Sequence, residues 1–261
     1  MTGHASWQTG RALRGAAAAL TITATLAACG ALPPFPTLPT AAPSDIAARD
    51  LVPSAPVAPS IAPSDAAALS PDGFGAVQRM AVRIRNVGCG RISTGSGFAI
   101  DDHTLITNRH VVADAASLQV STYDGRDLDV ATASTAALAD LAVVRTKDAL
   151  PSAPQLGDAD PVAGDHVTVV GYPEGGALTV TEGRVLGPTS DPLHENLGEV
   201  LLTDAPVEPG SSGSAALDEA GRVVGVVYAK TDDERSLLVP VSTLRMLLTD
   251  TGAFTPVTPC S

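Results

Sequence analysis

Val200-Leu201-Leu202-Thr203-Asp204-Ala205-Pro206-Val207-Glu208-Pro209-Gly210-Ser211-Ser212-Gly213-Ser214-Ala215 is the most informative stretch of the sequence. A short apolar run, Val200 to Thr203, gives way to a turn built from Pro, Gly and Ser, and a second apolar run starts near Ala215. This composition fits two strands joined through a tight small-residue turn. Glycines on both sides of Ser212 let the backbone fold so that amide N–H groups converge beside a hydroxyl, an arrangement that stabilises an oxyanion. A Gly/Ser-rich hairpin without chemistry is the plain alternative, and the segment alone does not choose between them.

The same texture extends outward. Short runs of Val, Ile, Leu and Thr recur at Ala81 to Val87, Gly97 to Ile100, Thr104 to Thr107, Leu118 to Thr122, Leu141 to Arg145, His166 to Gly171, Thr179 to Leu186, Arg222 to Tyr228 and Leu237 to Val239. Gly, Asp and Pro clusters separate them. Runs of about four to eight residues between turn formers predict an all-β sandwich or barrel. Only Ser242 to Thr249 has helical spacing, with Leu244, Leu247 and Leu248 on one face. No solenoid-length repeat is visible, and the folded part, about 72–252, leaves no room for a second domain such as a PDZ module.

The whole sequence has 261 residues, 44% hydrophobic, so one substantial core with accessory segments is expected. Aromatics are only 3%, and that core must be largely Val, Leu, Ile and Ala. With 28 Asp and Glu against 16 Lys and Arg, the formal net charge is -12. A phosphate backbone would be repelled, which excludes nucleic acid as a partner.

Near the N-terminus, Arg11 and Arg14 precede an uncharged apolar stretch, Gly15 to Ala28, too short to span a bilayer but suited to an export signal. Leu26-Ala27-Ala28-Cys29 resembles a bacterial lipobox, which implies a signal peptide over 1–28 and lipidation of Cys29. An ordinary cleaved signal and an uncleaved anchor are the alternatives. Ten prolines and four charges mark 30–71 as a disordered tether that cannot bury enough apolar surface to fold. The expected location is the extracytoplasmic face of the cell membrane.

Two further segments carry possible chemistry. In Thr107-Asn108-Arg109-His110-Val111-Val112, a histidine directly after an apolar strand can project its imidazole from a rigid base, although any one of the five histidines can equally be a surface or core residue. In Asp140-Leu141-Ala142-Val143-Val144, an aspartate opens an apolar strand and must be either solvated at the strand end or hydrogen-bonded. No histidine or cysteine spacing suggests a metal site, and no cofactor is expected.

The order His, Asp, Ser along an all-β chain is that of the chymotrypsin-type triad. With Gly95-Ser96-Gly97-Phe98, Val169-Val170-Gly171-Tyr172-Pro173, Thr179-Val180-Thr181-Glu182-Gly183 and Gly221-Arg222-Val223-Val224-Gly225-Val226 in sequence around these segments, the chain resembles a trypsin-like serine protease of the HtrA type. The resemblance implies two six-stranded β-barrels, about 76–150 and 161–241, a terminal helix at 242–249 and a tail at 253–261. It implies a serine endopeptidase acting on polypeptides, with Ser212 as nucleophile, His110 as general base and Asp140 as orienting carboxylate. The N–H groups of Gly210 and Ser212 would form the oxyanion hole. One wall of the S1 pocket would be Ala205, Pro206 and Val207, the other Tyr228, Ala229 and Lys230, favouring small or medium apolar P1 side chains. Ser211 stands where pancreatic enzymes carry an aspartate, and Ser214 where a second glycine is usual. The competing reading is an inactive protease-fold lipoprotein that binds peptides or cell-envelope components. No oligomer is predicted.

If Cys29 is lipidated, Cys89 and Cys260 remain as a pair in a compartment that permits disulfides. A Cys89–Cys260 bridge would hold down a tail with few apolar groups. Two unpaired cysteines, or a redox-sensitive Cys89, are the alternatives.

Overall fold

The computed structural model describes residues 74–136, 138–192, 198–250 and 252–260. The export-signal region, Cys29 and the proline-rich tether lie outside the described residues. A short helix α1 (Ala76–Arg79) leads into β1 (Ala81–Gly88), β2 (Ile92–Asp101) and β3 (Thr104–Thr107). One helical turn, α2 (Arg109–Val112), separates these from β4 (Ala115–Thr122), β5 (Asp127–Leu128), β6 (Val130–Ala136) and β7 (Ala142–Thr146). After a proline-containing connection come β8 (His166–Gly171), β9 (Thr179–Ser190), β10 (Glu199–Thr203), β11 (Ala215–Leu217), β12 (Val223–Lys230) and β13 (Ser236–Pro240). The chain finishes with α3 (Val241–Thr249) and β14 (Phe254–Pro256).

β8 to β13 close a six-stranded barrel in the order β10-β13-β12-β11-β8-β9. Its apolar centre gathers Val167, Val169, Val185, Leu201, Ala216 and Leu238. Alternating β-branched residues account for this closure, because each strand can offer one side-chain face to the interior.

The N-terminal half forms the second β-unit of the double-barrel fold implied by the resemblance, with more strands than the six expected. It is an eight-stranded sheet, β14-β6-β7-β3-β2-β1-β4-β5, around Val82, Ile84, Leu105, Val112, Val120 and Val144. The extra strand comes from the C-terminal tail, where Phe254, Thr255 and Pro256 pair with Ala136, Thr135 and Ser134. Main-chain bonds hold this segment, so its scarcity of apolar side chains is no obstacle. Beyond β14, the Val257 N–H donates to the Ala133 carbonyl at 2.9 Å and the Cys260 N–H to the Ala115 carbonyl at 3.3 Å. The tail thus runs from β6 to the start of β4, and Cys260 is joined there to Cys89 with a Cα–Cα distance of 6.0 Å.

A third apolar cluster includes Met80 just before β1, Phe98 of β2 and Leu141 just before β7, together with Val170, Val226, Leu237 and Leu244 from the barrel and α3. Truncating Phe98, fully buried here, would cost about 3–5 kcal/mol. This cluster packs Leu141, next to Asp140, together with Val200 and Ala215, which flank the serine turn.

Candidate active site

Asp140 lies just before β7 with its side chain only 4% exposed. Burying a carboxylate is costly unless it is paired, and three groups converge on this one. The His110 main-chain N–H donates to Oδ1 at 3.0 Å, His110 Nδ1 lies 2.5 Å from Oδ2, and Arg109 Nε stands 3.9 Å from Oδ1. Asn108, the cap residue of α2, donates its side-chain amide to the Asp140 carbonyl at 2.8 Å. A carboxylate can only accept, so it favours the proton on Nδ1 and leaves the Nε2 lone pair for chemistry. The imidazole is 49% exposed and therefore reachable.

Ser212 is half-buried in the 209–214 turn. Gly210 and Gly213 adopt φ of 95° and 89°, left-handed conformations that favour glycine. Space excludes other residues as well: a Cβ on Gly210 would lie 2.6 Å from the Glu174 nitrogen, and one on Gly213 2.0 Å from the Ser96 carbonyl oxygen. Within the turn, the Ser211 N–H donates to the Glu208 carbonyl, the Gly213 N–H to the Val227 carbonyl and the Ser214 N–H to the Ser211 carbonyl, at 2.8–2.9 Å. Among the described residues, the N–H groups of Gly210 and Ser212 donate to no protein acceptor. Their peptide planes are nonetheless fixed, because the Pro209 carbonyl accepts from the Glu174 N–H at 2.5 Å and the Ser211 carbonyl from Ser214. In a trans peptide the N–H points opposite the carbonyl, so these anchors also orient the two unspent donors. Among the described residues no hydrogen bond joins Ser212 to His110; such contacts commonly tighten only around a substrate.

A sequence model of the trypsin-like peptidase domain matches residues 95–226. The chain belongs to the trypsin-like peptidase family. The matched span contains His110, Asp140 and the whole 209–214 turn. Its curated relatives are HtrA-type and related serine proteases. The chain is 34% identical over 164 residues to the mitochondrial serine protease HTRA2 of Bos taurus, covering 60% of this chain and 36% of that one. It is 32% identical over 196 residues to serine protease Rv3671c of Mycobacterium tuberculosis, covering 70% and 48%. The active form of the Rv3671c protease superposes with a TM-score of 0.63 at 27% identity, over 71% of this chain and 86% of that one. A serine endoprotease from Yersinia pestis gives 0.58 at 27% identity, over 67% and 64%. The chain spans between 28% and 48% of the length of the curated relatives it matches.

Within this peptidase fold, a cleft of about 160 Å³ opens beside Ser212, lined by Val207, Glu208, Pro209 and Ser211 from the turn and by Val227, Ala229 and Lys230 from β12. Of the residues named for the substrate pocket, Val207, Ala229 and Lys230 line this cleft. Ala205 is fully buried within the barrel. Tyr228 is buried too, its hydroxyl donating to Asp191 at 2.9 Å. Pro206 lines an adjoining cleft of about 130 Å³ with Pro173, Thr179 and Val207. Successive residues of an extended chain face opposite sides, so Tyr228 turns away where Val227 and Ala229 face the cleft.

Lys230 Nζ lies 3.2 and 3.1 Å from the two Glu208 carboxylate oxygens and 3.3 Å from Glu234. The Glu208 hydrogen bond, aided by Glu234, holds the ammonium above its ordinary pKa range. Glu208 joins the cleft wall with its carboxylate against the Lys230 ammonium. Asn108, Ser96 and the main chain of Glu174 also hold the site together; Asn108 and Ser96 lie within the segments that carry the resemblance, and Glu174 does not.

Proposed function

We propose that the protein is a serine endopeptidase that hydrolyses peptide bonds through an acyl-enzyme, with Ser212 as nucleophile, His110 as general base and then acid, and Asp140 as the orienting carboxylate. The observation that carries this reading is the two-point contact of His110 with a buried Asp140, in a family of peptidases. Ser212 Oγ attacks the carbonyl carbon of the scissile bond while Nε2 takes its proton. Charge then grows on the carbonyl oxygen, where the unspent N–H groups of Gly210 and Ser212 can receive it. As the C–N bond breaks, His110 returns the proton to the leaving amine. Water attacks the ester next by the same route, and Ser212 is regenerated. Asp140 orients and stabilises the imidazolium formed in each half-reaction.

Location follows a separate line. Leu26-Ala27-Ala28-Cys29 supports lipidation of Cys29 and display outside the cytoplasmic membrane, a DegP-like relative of Pseudomonas fluorescens is named as probably periplasmic, and the Cys89–Cys260 bridge suits an oxidising compartment. Incorporation of a labelled palmitate, abolished by Cys29→Ala, is the expected result.

For the chemistry, the purified chain should cleave an unstructured protein such as casein, and Ser212→Ala or His110→Ala should each lower the rate by about 10³-fold or more. Equal activity in wild type and Ser212→Ala would refute the assignment.

A further inference from the structure

Ser96 lies in the middle of β2, in the first sheet, and is fully buried. Every polar group it carries is engaged with the site. Its hydroxyl donates to the Gly210 carbonyl at 2.8 Å and accepts from the Tyr172 N–H at 2.8 Å. Its main-chain N–H donates to the Ser212 carbonyl at 2.8 Å, and its carbonyl accepts from Thr107 Oγ1 at 2.6 Å. One residue therefore ties the serine turn, the turn after β8 and the strand that leads to His110.

The geometry of the serine turn gives these bonds a specific consequence. Gly210, at φ 95°, has few steric barriers to rotating its flanking peptides. Rotation of the Pro209–Gly210 peptide would swing the Gly210 N–H away and put a carbonyl in its place. Two bonds oppose this, one at each side of Gly210: the Glu174 N–H on the Pro209 carbonyl, and the Ser96 hydroxyl on the Gly210 carbonyl. The first is itself supported by the second, because Ser96 also holds Tyr172, and the Tyr172 carbonyl accepts from the Gly175 N–H at 3.0 Å to close the turn that presents Glu174. Ser212 is restrained in the same way, its carbonyl held by the Ser96 N–H and the next N–H, of Gly213, by Val227.

We infer that the Ser96 hydroxyl is a positioning residue for the reaction, a buried clasp that keeps the Gly210 N–H aimed at the developing oxyanion. It touches neither substrate nor the reacting atoms. Removing it leaves the half-buried Gly210 carbonyl and the buried Tyr172 N–H without that partner, and both are then free to seek others by peptide rotation. Donors that are mispositioned at rest stabilise the transition state less, while ground-state contacts of the peptide in the cleft are unchanged.

This inference rests on the assignment of Ser212 as nucleophile, and the experiment separates the two. Wild type, Ser96→Ala, Ser96→Cys and Ser212→Ala are compared as full chains for kcat and KM on a peptide ester or amide, for affinity toward a peptide boronic acid, and for thermal midpoint. Ser96→Ala should lower kcat by about 10- to 100-fold with KM within about threefold, and boronate affinity should fall in step with kcat/KM. Ser96→Cys fills nearly the same space with a poor donor; it should show the same split with a smaller loss, and it carries the test if Ser96→Ala does not fold. Wild-type kcat in a folded Ser96→Ala or Ser96→Cys, or a loss confined to KM, overturns the inference while the nucleophile stands. Wild-type activity in Ser212→Ala overturns the nucleophile assignment and the inference with it.

Discussion

Asp140 grips His110 at two points, the main-chain N–H on Oδ1 at 3.0 Å and ring Nδ1 on Oδ2 at 2.5 Å. The first contact fixes the start of α2 and the second fixes the ring within it. Replacing Asp140 by Asn keeps the size but presents an N–H₂ group to one of these points. If that group faces Nδ1, the ring proton moves to Nε2, where it blocks base catalysis. The expected outcome for Asp140→Asn is a kcat lower by about 10³- to 10⁴-fold with a small change in thermal midpoint. A folded variant that keeps wild-type kcat would contradict the role given to Asp140.

The cleft beside Ser212 is small, apolar at Val207, Val227 and Ala229, and crossed by the Lys230–Glu208 pair. Peptides with Ala or Val at P1 should be cleaved at least about tenfold faster, in kcat/KM, than those with Arg or Trp. Glu208→Gln removes the anion on the cleft side of Lys230 and leaves its ammonium paired with Glu234 alone. Acidic P1 residues should gain relative to neutral ones in that variant. A library of P1-varied peptides reads both effects, and a preference for Arg at P1 in the wild type would refute the pocket description.

The tail prediction concerns stability. Cys260 is tied to Cys89 across 171 residues, and the same segment supplies β14. On the chain-entropy account a bridge closing so long a loop contributes up to about 5 kcal/mol. Cys260→Ser should therefore lower the thermal midpoint by several degrees, and amide exchange in Ala133 to Ala136 should accelerate with it. Unchanged exchange along β6 would show that β14 holds without the bridge.

What could be read in advance follows from where each element draws its stability. β8 and β12, His166–Gly171 and Val223–Lys230, are rich in Val and buried on the barrel's inner face, so their own residues announce them. β6 is Val-Ala-Thr-Ala-Ser-Thr-Ala, small and mostly half-buried, and exists through pairing with β7 and β14. No local pattern carries that information, which is also why the strand that the tail adds to this sheet is not expected from the sequence. At the site, the order of His110, Asp140 and Ser212 is legible because chemistry constrains side-chain type. The cleft wall is not, because it depends on which face of β12 each residue occupies after the ladder shifts between Val227 and Ala229. Main-chain donors such as Glu174, at φ 55°, leave no trace in residue identity.

A fourth expectation is pH-dependent. Partial burial would raise the Asp218 carboxyl, but the Arg222 amide, the Arg222 guanidinium at 2.8 Å and the Ala220 N–H outweigh it and hold the group below its ordinary value. A depressed folded pKa contributes stability above the unfolded pKa, and that contribution is lost as the pH falls through the folded one. Asp218→Asn should cost about 1 kcal/mol near neutral pH, allowing for its partial exposure, and the difference should shrink below about pH 4. Denaturant melts at several pH values would measure it. A constant difference down to pH 2 would contradict the ion-pair account.

The central claim is that Ser212 is an activated nucleophile. Fluorophosphonate probes react covalently with such serines and scarcely with ordinary hydroxyls, so the most direct measurement is to label the purified chain and locate the adduct by peptide mass spectrometry. The account predicts a single adduct on Ser212, absent in Ser212→Ala and strongly reduced in His110→Ala. Failure of the folded wild-type chain to label, or an adduct on another residue that persists in Ser212→Ala, would contradict it.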